Sequence, residues 1–240
     1  MLGGTGAWPP AGGACSGYLV AQNGFRLLID PGYATLPVLL GSVAAADVDA
    51  VLVSHGHPDH CADLNPLLRA RVLTDDPAPA LPVYALPHAL DAVLALDGRL
   101  LAGACEPREF GAGERLAVGP FDVATVALPH SVPNAGLRLS AEGRTLAYTG
   151  DTGPSPEIGA LAWGADVFLA EASYPDPIES DRDERYLSTA GQAGENAARA
   201  GVDRLVLTHL FPGTDPARAV AAAAFPGRTE VARPGLVVDV

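Results

Sequence analysis

The run His55-Gly56-His57-Pro58-Asp59-His60 constrains this chain more than any other feature of its sequence. It directly follows Ala50 to Ser54, a short apolar segment typical of a β-strand that is covered on both faces. The imidazoles and the carboxylate are ligands that suit zinc, and also manganese or iron. A loop can direct His55 and His57 to one side and Asp59 and His60 to the other, which a continuing strand or helix would not do so easily. The run therefore predicts a metal site in a loop after a buried strand.

Three further candidate ligands each follow the C-terminal end of a predicted strand. They are His130 after residues 121–128, Asp151 after residues 145–149, and His209 after residues 204–208. Functional residues of open sheets gather at the carboxyl ends of strands, because the loops meet there. Together with the run at 55–60, these residues predict a set of seven ligands for two metal ions.

The rest of the pattern predicts an α/β fold in which helices lie outside sheets. Asn23-Gly24 between two β-prone runs predicts a hairpin, and residues 136–140 and 145–149 flank a second one. Thr189-Ala190-Gly191-Gln192 is a capping box that predicts a helix to about Ala200. Further predicted elements are strands at 83–86, 166–170 and 236–240, and helices at 88–96 and 216–224. No repeat or low-complexity linker divides residues 1–240, so we expect one domain.

Composition narrows the class of protein. With 48% hydrophobic residues among 240, the chain can bury a large core, which excludes disorder as its main state. No apolar stretch is long enough to span a membrane, and Met1 to Trp8 lacks the pattern of a signal peptide. A net charge of −13 makes nucleic acid an unfavourable partner. Three widely spaced cysteines form no disulfide framework. We expect a soluble cytoplasmic protein with a small-molecule partner and no membrane partner, and the sequence leaves a homodimer open.

The motif His-x-His-x-Asp-His, with isolated His, Asp and His after it, resembles the metallo-β-lactamase fold superfamily. The resemblance implies an α/β four-layer αββα sandwich with two divalent metal ions at one edge, Zn²⁺ first and Mn²⁺ or Fe²⁺ as alternatives. Asp30, after the strand at 25–29, matches the family aspartate that supports the ligands from behind. By this resemblance one ion would be held by His55, His57 and His130, the other by Asp59, His60 and His209, with Asp151 bridging them.

Further motifs resemble those of one branch of this superfamily, the phosphodiesterases that include ribonuclease Z. They are Ser54-His55-Gly56-His57, His130-Ser131-Val132-Pro133, Tyr148-Thr149-Gly150-Asp151-Thr152, Glu171-Ala172-Ser173 and Leu207-Thr208-His209. The branch implies a dinuclear hydrolase of small phosphodiesters such as cyclic nucleotides, in which a metal-bridging hydroxide attacks and Asp59 orients or deprotonates it. The same ligands also serve tRNA 3′-processing endonucleases, lactonases and thioesterases, and an inactive metal-binding protein is a further alternative.

Departures from ribonuclease Z predict that this chain does not process tRNA 3′ ends. The basic arm that clamps tRNA in bacterial ribonuclease Z lies between the ligands that match His130 and Asp151. Here these residues are 21 positions apart, and the interval holds a predicted hairpin and only two arginines. Ala170 replaces a histidine thought to help protonate the leaving oxygen, and Tyr186 stands where related proteins often have histidine.

Residues outside the ligand set are weaker candidates. Glu171 either orients a ligand histidine or is a helix-cap or surface carboxylate. Ser188 and Thr189 either contact phosphate or cap a helix. Tyr186 could donate a proton or hydrogen-bond a phosphate, and Phe211, two residues after a ligand, is expected to line the substrate cleft.

Overall fold

The first half of the chain forms a five-stranded sheet. In a computed structural model that describes all 240 residues, its strands lie side by side in chain order. They are β1 (Tyr18–Gln22), β2 (Phe25–Ile29), β3 (Ala50–Leu52), β4 (Leu81–Ala85) and β5 (Cys105–Glu109). β1 and β2 form the predicted antiparallel hairpin, with positive φ at both Asn23 and Gly24, and the strands from β2 to β5 are parallel.

The second half forms a seven-stranded sheet. Its strands are β6 (Arg115–Val118), β7 (Phe121–Leu128), β8 (Asn134–Ala141), β9 (Arg144–Tyr148), β10 (Val167–Glu171), β11 (Arg204–Thr208) and β12 (Arg228–Val231). Their spatial order is β12-β11-β10-β9-β8-β7-β6. β6 to β9 are antiparallel neighbours, and β9 to β12 are parallel.

Helices cover the outer face of each sheet. They are α1 (Thr35–Leu40), α2 (Pro58–Cys61), α3 (Leu64–Val72) and α4 (Asp91–Ala95) on the first sheet, and α5 (Glu157–Ala162), α6 (Ala190–Ala200) and α7 (Pro216–Ala223) on the second. Short 3₁₀ turns occur at Ala45–Asp47, Gly98–Leu101 and Asp183–Arg185.

Three apolar cores hold the four layers together. One core lies between the sheets, and each of the other two lies between a sheet and its helices. Strand alternation distributes the side chains, because Leu27 and Ile29 of β2 face the other sheet while Leu28 faces the helices. Each fully buried aliphatic side chain contributes roughly 1.5–3 kcal/mol. This architecture is the αββα sandwich that the resemblance implied.

Three of the sequence predictions that differ from the observed elements concern β3, the helix after β4 and the closing strand. β3 ends at Leu52 instead of Ser54, and the helix predicted from His88 begins at Asp91, because His88 takes positive φ in a turn. The closing strand at 236–240 was wrong, since these residues pair with no strand. The last strand is β12, an edge strand whose Arg228 and Glu230 interrupt the apolar pattern by which a strand is recognised.

No helix is both long enough and apolar enough to cross a membrane. Polar residues lie together at one edge of the sandwich, because the carboxyl ends of five strands meet there: β2, β3, β7, β9 and β11. A backbone bridge between His55 and Asn134 joins the two sheets at this edge.

Candidate metal centre

The run at 55–60 leaves β3 as a loop and then becomes a single helical turn. Only His55, Gly56 and His57 lie in the loop, whereas Asp59 and His60 belong to α2. The helix begins at Pro58 because the fixed φ of proline and its missing N–H suit the first helical position. The prediction of a continuous loop was therefore wrong for Asp59 and His60, which the helical turn directs to the same edge.

The first cluster consists of His55, His57, His130 and Asp151, whose ligand atoms all lie within 4.8 Å of one another. His57 Nδ1 lies 3.1 Å from His55 Nε2 and 3.0 Å from His130 Nε2. His130 Nδ1 must carry the hydrogen because it donates to the carbonyl of Tyr186, so its Nε2 presents a lone pair. Nitrogens crowded in this way suit a metal ion at the usual Zn–N distance of about 2.0–2.1 Å.

The second cluster consists of Asp59, His60, Asp151 and His209. His209 Nε2 lies 3.1 Å from Asp151 Oδ2 and 3.2 Å from Asp59 Oδ2, and His60 Nε2 lies 3.2 Å from Asp151 Oδ1. His60 Nε2 and Asp151 Oδ1 are buried and have no hydrogen-bond partner. An unsatisfied buried polar atom costs roughly 1–3 kcal/mol, and a metal ion between these two atoms would remove that cost. Both clusters are able to bind metal.

Asp30 orients two of these histidines from behind. It is fully buried and accepts hydrogen bonds from His60 Nδ1 at 2.8 Å and from the Ser54 hydroxyl at 2.6 Å. Because the Ser54 hydrogen is given to Asp30, its oxygen accepts from His55 Nδ1 at 3.0 Å. In both imidazoles the Nδ1 hydrogen therefore points away from the clusters, and Nε2 is the atom directed into them. The Tyr148 hydroxyl donates a further bond to Asp30 at 2.7 Å.

Glu171 supports His209 through Ser173. The Ser173 hydroxyl donates to Glu171 Oε1 at 2.6 Å, and its oxygen lies 2.8 Å from His209 Nδ1. Glu171 is only 1% exposed, so the surface-carboxylate alternative is wrong, and its contact with the histidine is indirect. Burial, and then the charge of Asp151, raise the pKa of Glu171 to about 8.

The two clusters differ in how they hold protons. Burial lowers the pKa of His55, His57 and His130, so these imidazoles are neutral, as metal binding requires. Burial alone would lower the pKa of His60 and His209 too, but the nearby Asp151 carboxylate outweighs it and raises both values. Burial opposes ionisation of Asp151, yet His209 and His60 hold its pKa well below the usual range. Protonated histidines thus supply positive charge to the second cluster until a cation replaces their protons.

The weaker candidates lie around the clusters in different roles. Thr189 caps α6 and accepts from the Gln192 N–H, as the capping box predicts. Ser188 donates its N–H to Glu171 and its hydroxyl to the Thr152 carbonyl, which leaves no free donor for phosphate. The Tyr186 ring lies 6.5 Å from that of His130, and the Phe211 ring lies 6.3 Å from that of His209.

Ala170, which replaces the histidine expected from ribonuclease Z, is buried in the apolar core between the second sheet and its helices. Its methyl group offers no proton to a leaving oxygen.

Some contacts could not be read from the sequence. Ser54, Tyr148 and Ser173 stand in the quoted motifs, but nothing in the sequence shows what they touch. The N–H of Ala7 donates to Asp59 Oδ2 at 2.8 Å, and a backbone group gives no sequence signal.

Comparison with known proteins identifies relatives along nearly the whole chain. Residues 25–210 match the model of the β-lactamase superfamily domain. The chain is 30% identical over 242 residues to the probable metallo-hydrolase YhfI of Bacillus subtilis (strain 168), covering 99% of this chain and 97% of that protein. It is 31% identical over 250 residues to ribonuclease Z of Mycobacterium bovis (strain BCG / Pasteur 1173P2), covering 89% and 87%.

Solved structures share the fold. The crystal structure of the metallo-β-lactamase fold protein YhfI superimposes with a TM-score of 0.90 at 28% identity, covering 100% of this chain and 98% of that one. The short form of human tRNase Z superimposes with a TM-score of 0.80 at 21% identity, covering 99% and 97%. The fold predicted from the sequence is thus confirmed.

Proposed function

Because the chain belongs to the β-lactamase superfamily, in its metallo-β-lactamase fold, and is a metal-dependent hydrolase, we propose that it hydrolyses small phosphodiesters such as cyclic nucleotides. The observation that carries this proposal is the pair of clusters that meet at Asp151. Two adjacent cation sites suit displacement at phosphorus, because charge develops on the attacking oxygen, the leaving oxygen and the phosphoryl group together.

The proposal includes two divalent ions, Zn²⁺ first. One would be held by His55, His57 and His130, the other by Asp59, His60 and His209, and Asp151 would contact both. When bound, two such ions lower the pKa of a shared water to near 7 and neutralise phosphoryl charge. The unpartnered His60 Nε2 and Asp151 Oδ1 support this arrangement, since each needs a partner that the protein does not supply.

Asp59 is the carboxylate best placed to take a proton from the attacking water. Its side chain is 10% exposed, whereas those of Asp151 and Asp30 are 3% and 0% exposed. Asp59 is thus the most solvent-accessible of the three carboxylates. The Ala7 N–H and His209 both contact Oδ2, which fixes the orientation of the carboxylate.

One specific observation favours tRNA 3′ processing as a second candidate, namely the 31% identity to a ribonuclease Z. The segment between His130 and Asp151 argues against it. The β8–β9 hairpin fills that interval and turns at Glu142-Gly143, with no room for an arm. Its two arginines are engaged, because Arg138 donates to the Leu161 carbonyl and Arg144 pairs with Asp166. A chain of net charge −13 also gains little from a polyanion.

A substrate panel tests the proposal. Protein stripped of metal and reloaded with Zn²⁺, Mn²⁺ or Fe²⁺ is assayed on cyclic AMP, bis(p-nitrophenyl) phosphate, a precursor tRNA, a lactone and a thioester. We expect turnover of the two small diesters and loss of turnover after chelation. Site-specific cleavage of precursor tRNA without turnover of small diesters would reverse the ranking, and turnover of only the lactone or thioester would reject phosphodiester hydrolysis.

A further inference from the structure

Three aromatic side chains form a row beside the second cluster. The rings of Trp8 and Phe211 are stacked, with centroids 6.3 Å apart and planes 23° apart, and Tyr174 meets Phe211 edge-on at 5.1 Å. Phe211 in turn lies 6.3 Å from the ring of His209. Trp8 belongs to none of the three apolar cores and is 57% exposed. Its indole therefore contributes little to the stability of the fold.

The backbone around Trp8 is nevertheless held firmly. The N–H of Gly6 donates to the Leu210 carbonyl at 2.9 Å, and Thr5 forms a bridge with Leu210. The next N–H, that of Ala7, donates to Asp59, and Ala7 takes a positive φ of 60°. The chain thus adopts an uncommon backbone conformation immediately before an exposed indole, one residue from a contact to a candidate ligand.

From these contacts we infer that Trp8, supported by Phe211, is a stacking platform for the base of a nucleotide whose phosphate lies at the metal clusters. This inference rests on the proposed function and specifies its substrate class. Phe211 lies roughly parallel to the indole on one side, and the 57% exposure of Trp8 leaves indole surface available to a flat ring. Stacking suits any nucleobase, because every base presents a π-face, and it requires no positive charge from this acidic chain.

Intrinsic fluorescence tests the platform without relying on turnover. The chain has two tryptophans, so Trp163→Phe leaves Trp8 as the sole indole. Trp163 is 70% exposed at the end of α5 and belongs to neither cluster, so this substitution should preserve folding and turnover. Zinc-loaded Trp163→Phe protein is titrated with AMP and with ribose 5-phosphate, which carries a phosphate and no base. We expect AMP to quench the indole and ribose 5-phosphate to leave it unchanged.

The reciprocal variant and a kinetic comparison complete the test. In Trp8→Phe protein, which retains only Trp163, AMP should cause no quenching. We expect Trp8→Leu to lower kcat/KM for cyclic AMP about tenfold, mainly by raising KM. The kcat/KM for glycerophosphocholine, a diester without a base, serves as the reference and should not fall in this way. Trp8→Phe should recover part of that loss, because it restores an aromatic face.

The outcomes separate the platform from the proposed function. Inhibition of cyclic AMP hydrolysis by AMP without quenching of Trp8 would overturn the platform and leave the proposed function intact. Equal quenching by AMP and ribose 5-phosphate would also overturn it. Absence of any cyclic AMP turnover would reject the proposed function, and the inference with it.

Discussion

At the scale of single residues, two buried carboxylates determine what the histidines can do. Asp30 fixes His60 directly and His55 through Ser54, and Glu171 fixes His209 through Ser173. In each case the imidazole donates its Nδ1 hydrogen away from the clusters, so Nε2 faces inward; this atom is unprotonated in His55 and carries a proton in His60 and His209 until a cation displaces it. This arrangement prepares the site for a cation before any cation arrives.

Replacing Ser173 tests this support. In Ser173→Ala, His209 Nδ1 loses its hydrogen-bond partner, so the ring is held less firmly. We expect metal affinity at the second cluster to fall about 10–100-fold. Competition with a chromophoric chelator measures the affinity. Ser42→Ala is the matched control, since Ser42 is exposed and its hydroxyl makes no hydrogen bond. Unchanged affinity in Ser173→Ala would show that the relay from Glu171 does not support binding.

Asp59 is the residue on which the proposed chemistry depends most. We expect Asp59→Ala to lower turnover of cyclic AMP by at least about a hundredfold, as the loss of a general base does. Steady-state kinetics measure this loss, and circular dichroism checks that the variant folds. Asp91→Ala, which removes an exposed carboxylate that belongs to neither cluster, should retain activity. A folded Asp59→Ala variant with full turnover would remove Asp59 from the reaction.

Metal content distinguishes the two clusters. His57 belongs to the first cluster alone, whereas Asp151 belongs to both. His57→Ala should therefore lower the bound metal from about two ions to about one per chain, and Asp151→Ala should weaken both sites. Elemental analysis after gel filtration gives the ratio. His88→Ala serves as the control, because His88 is the only histidine outside the clusters and is exposed. Two retained ions in His57→Ala would contradict the assignment.

At the scale of elements, local signals determined which predictions succeeded. β7 and β11 have the predicted bounds because an apolar run marks each strand, and α6 begins where predicted because a capping box marks its N-terminus. β5 and β6 were not predicted, since their exposed, charged residues hide strand periodicity. α2 is a single turn, too short for helical periodicity to appear in the sequence.

The N-terminal segment also depends on close packing that no periodicity reveals. A Cβ at Gly6 would lie 2.6 Å from the His209 carbonyl oxygen and 2.8 Å from its imidazole, so Gly6→Ala must displace the segment or the histidine. We expect a loss of about 1–3 kcal/mol in stability together with weaker metal binding. Gly159→Ala is the control, because its Cβ meets nothing within 4 Å. Denaturant titration of both variants measures the difference. If Gly6→Ala were as stable as Gly159→Ala, the N-terminal segment would tolerate the displacement.

At the scale of the whole molecule, the sequence indicated which residues gather in the two clusters but not what surrounds them. The clustering of the seven candidate ligands could be predicted because each follows a recognisable strand, and parallel strand ends meet at one edge. The bonds from Tyr148 to Asp30 and from His130 to the Tyr186 carbonyl span 118 and 56 positions, and no local pattern specifies them. The central core draws residues from both sheets, so the prediction of a single domain implies that the two halves unfold together.

Metal removal should therefore destabilise the whole molecule, and more so at higher pH. Without metal, protons on His60 and His209 offset three buried aspartates. Because the pKa of both histidines is raised in the folded state, their protonation stabilises the fold fully at pH values below their ordinary pKa of 6.5. This stabilisation is lost as the pH rises through their pKa values in the folded protein. Bound metal replaces those protons and binds more tightly as pH rises. We expect one thermal transition with or without metal, and a Tm difference between the two states that widens from about pH 6 to about pH 9.

Calorimetry with excess Zn²⁺ or with chelator measures this difference in Tm. A difference that narrows with pH would contradict the charge argument, and two separate transitions would contradict the single domain.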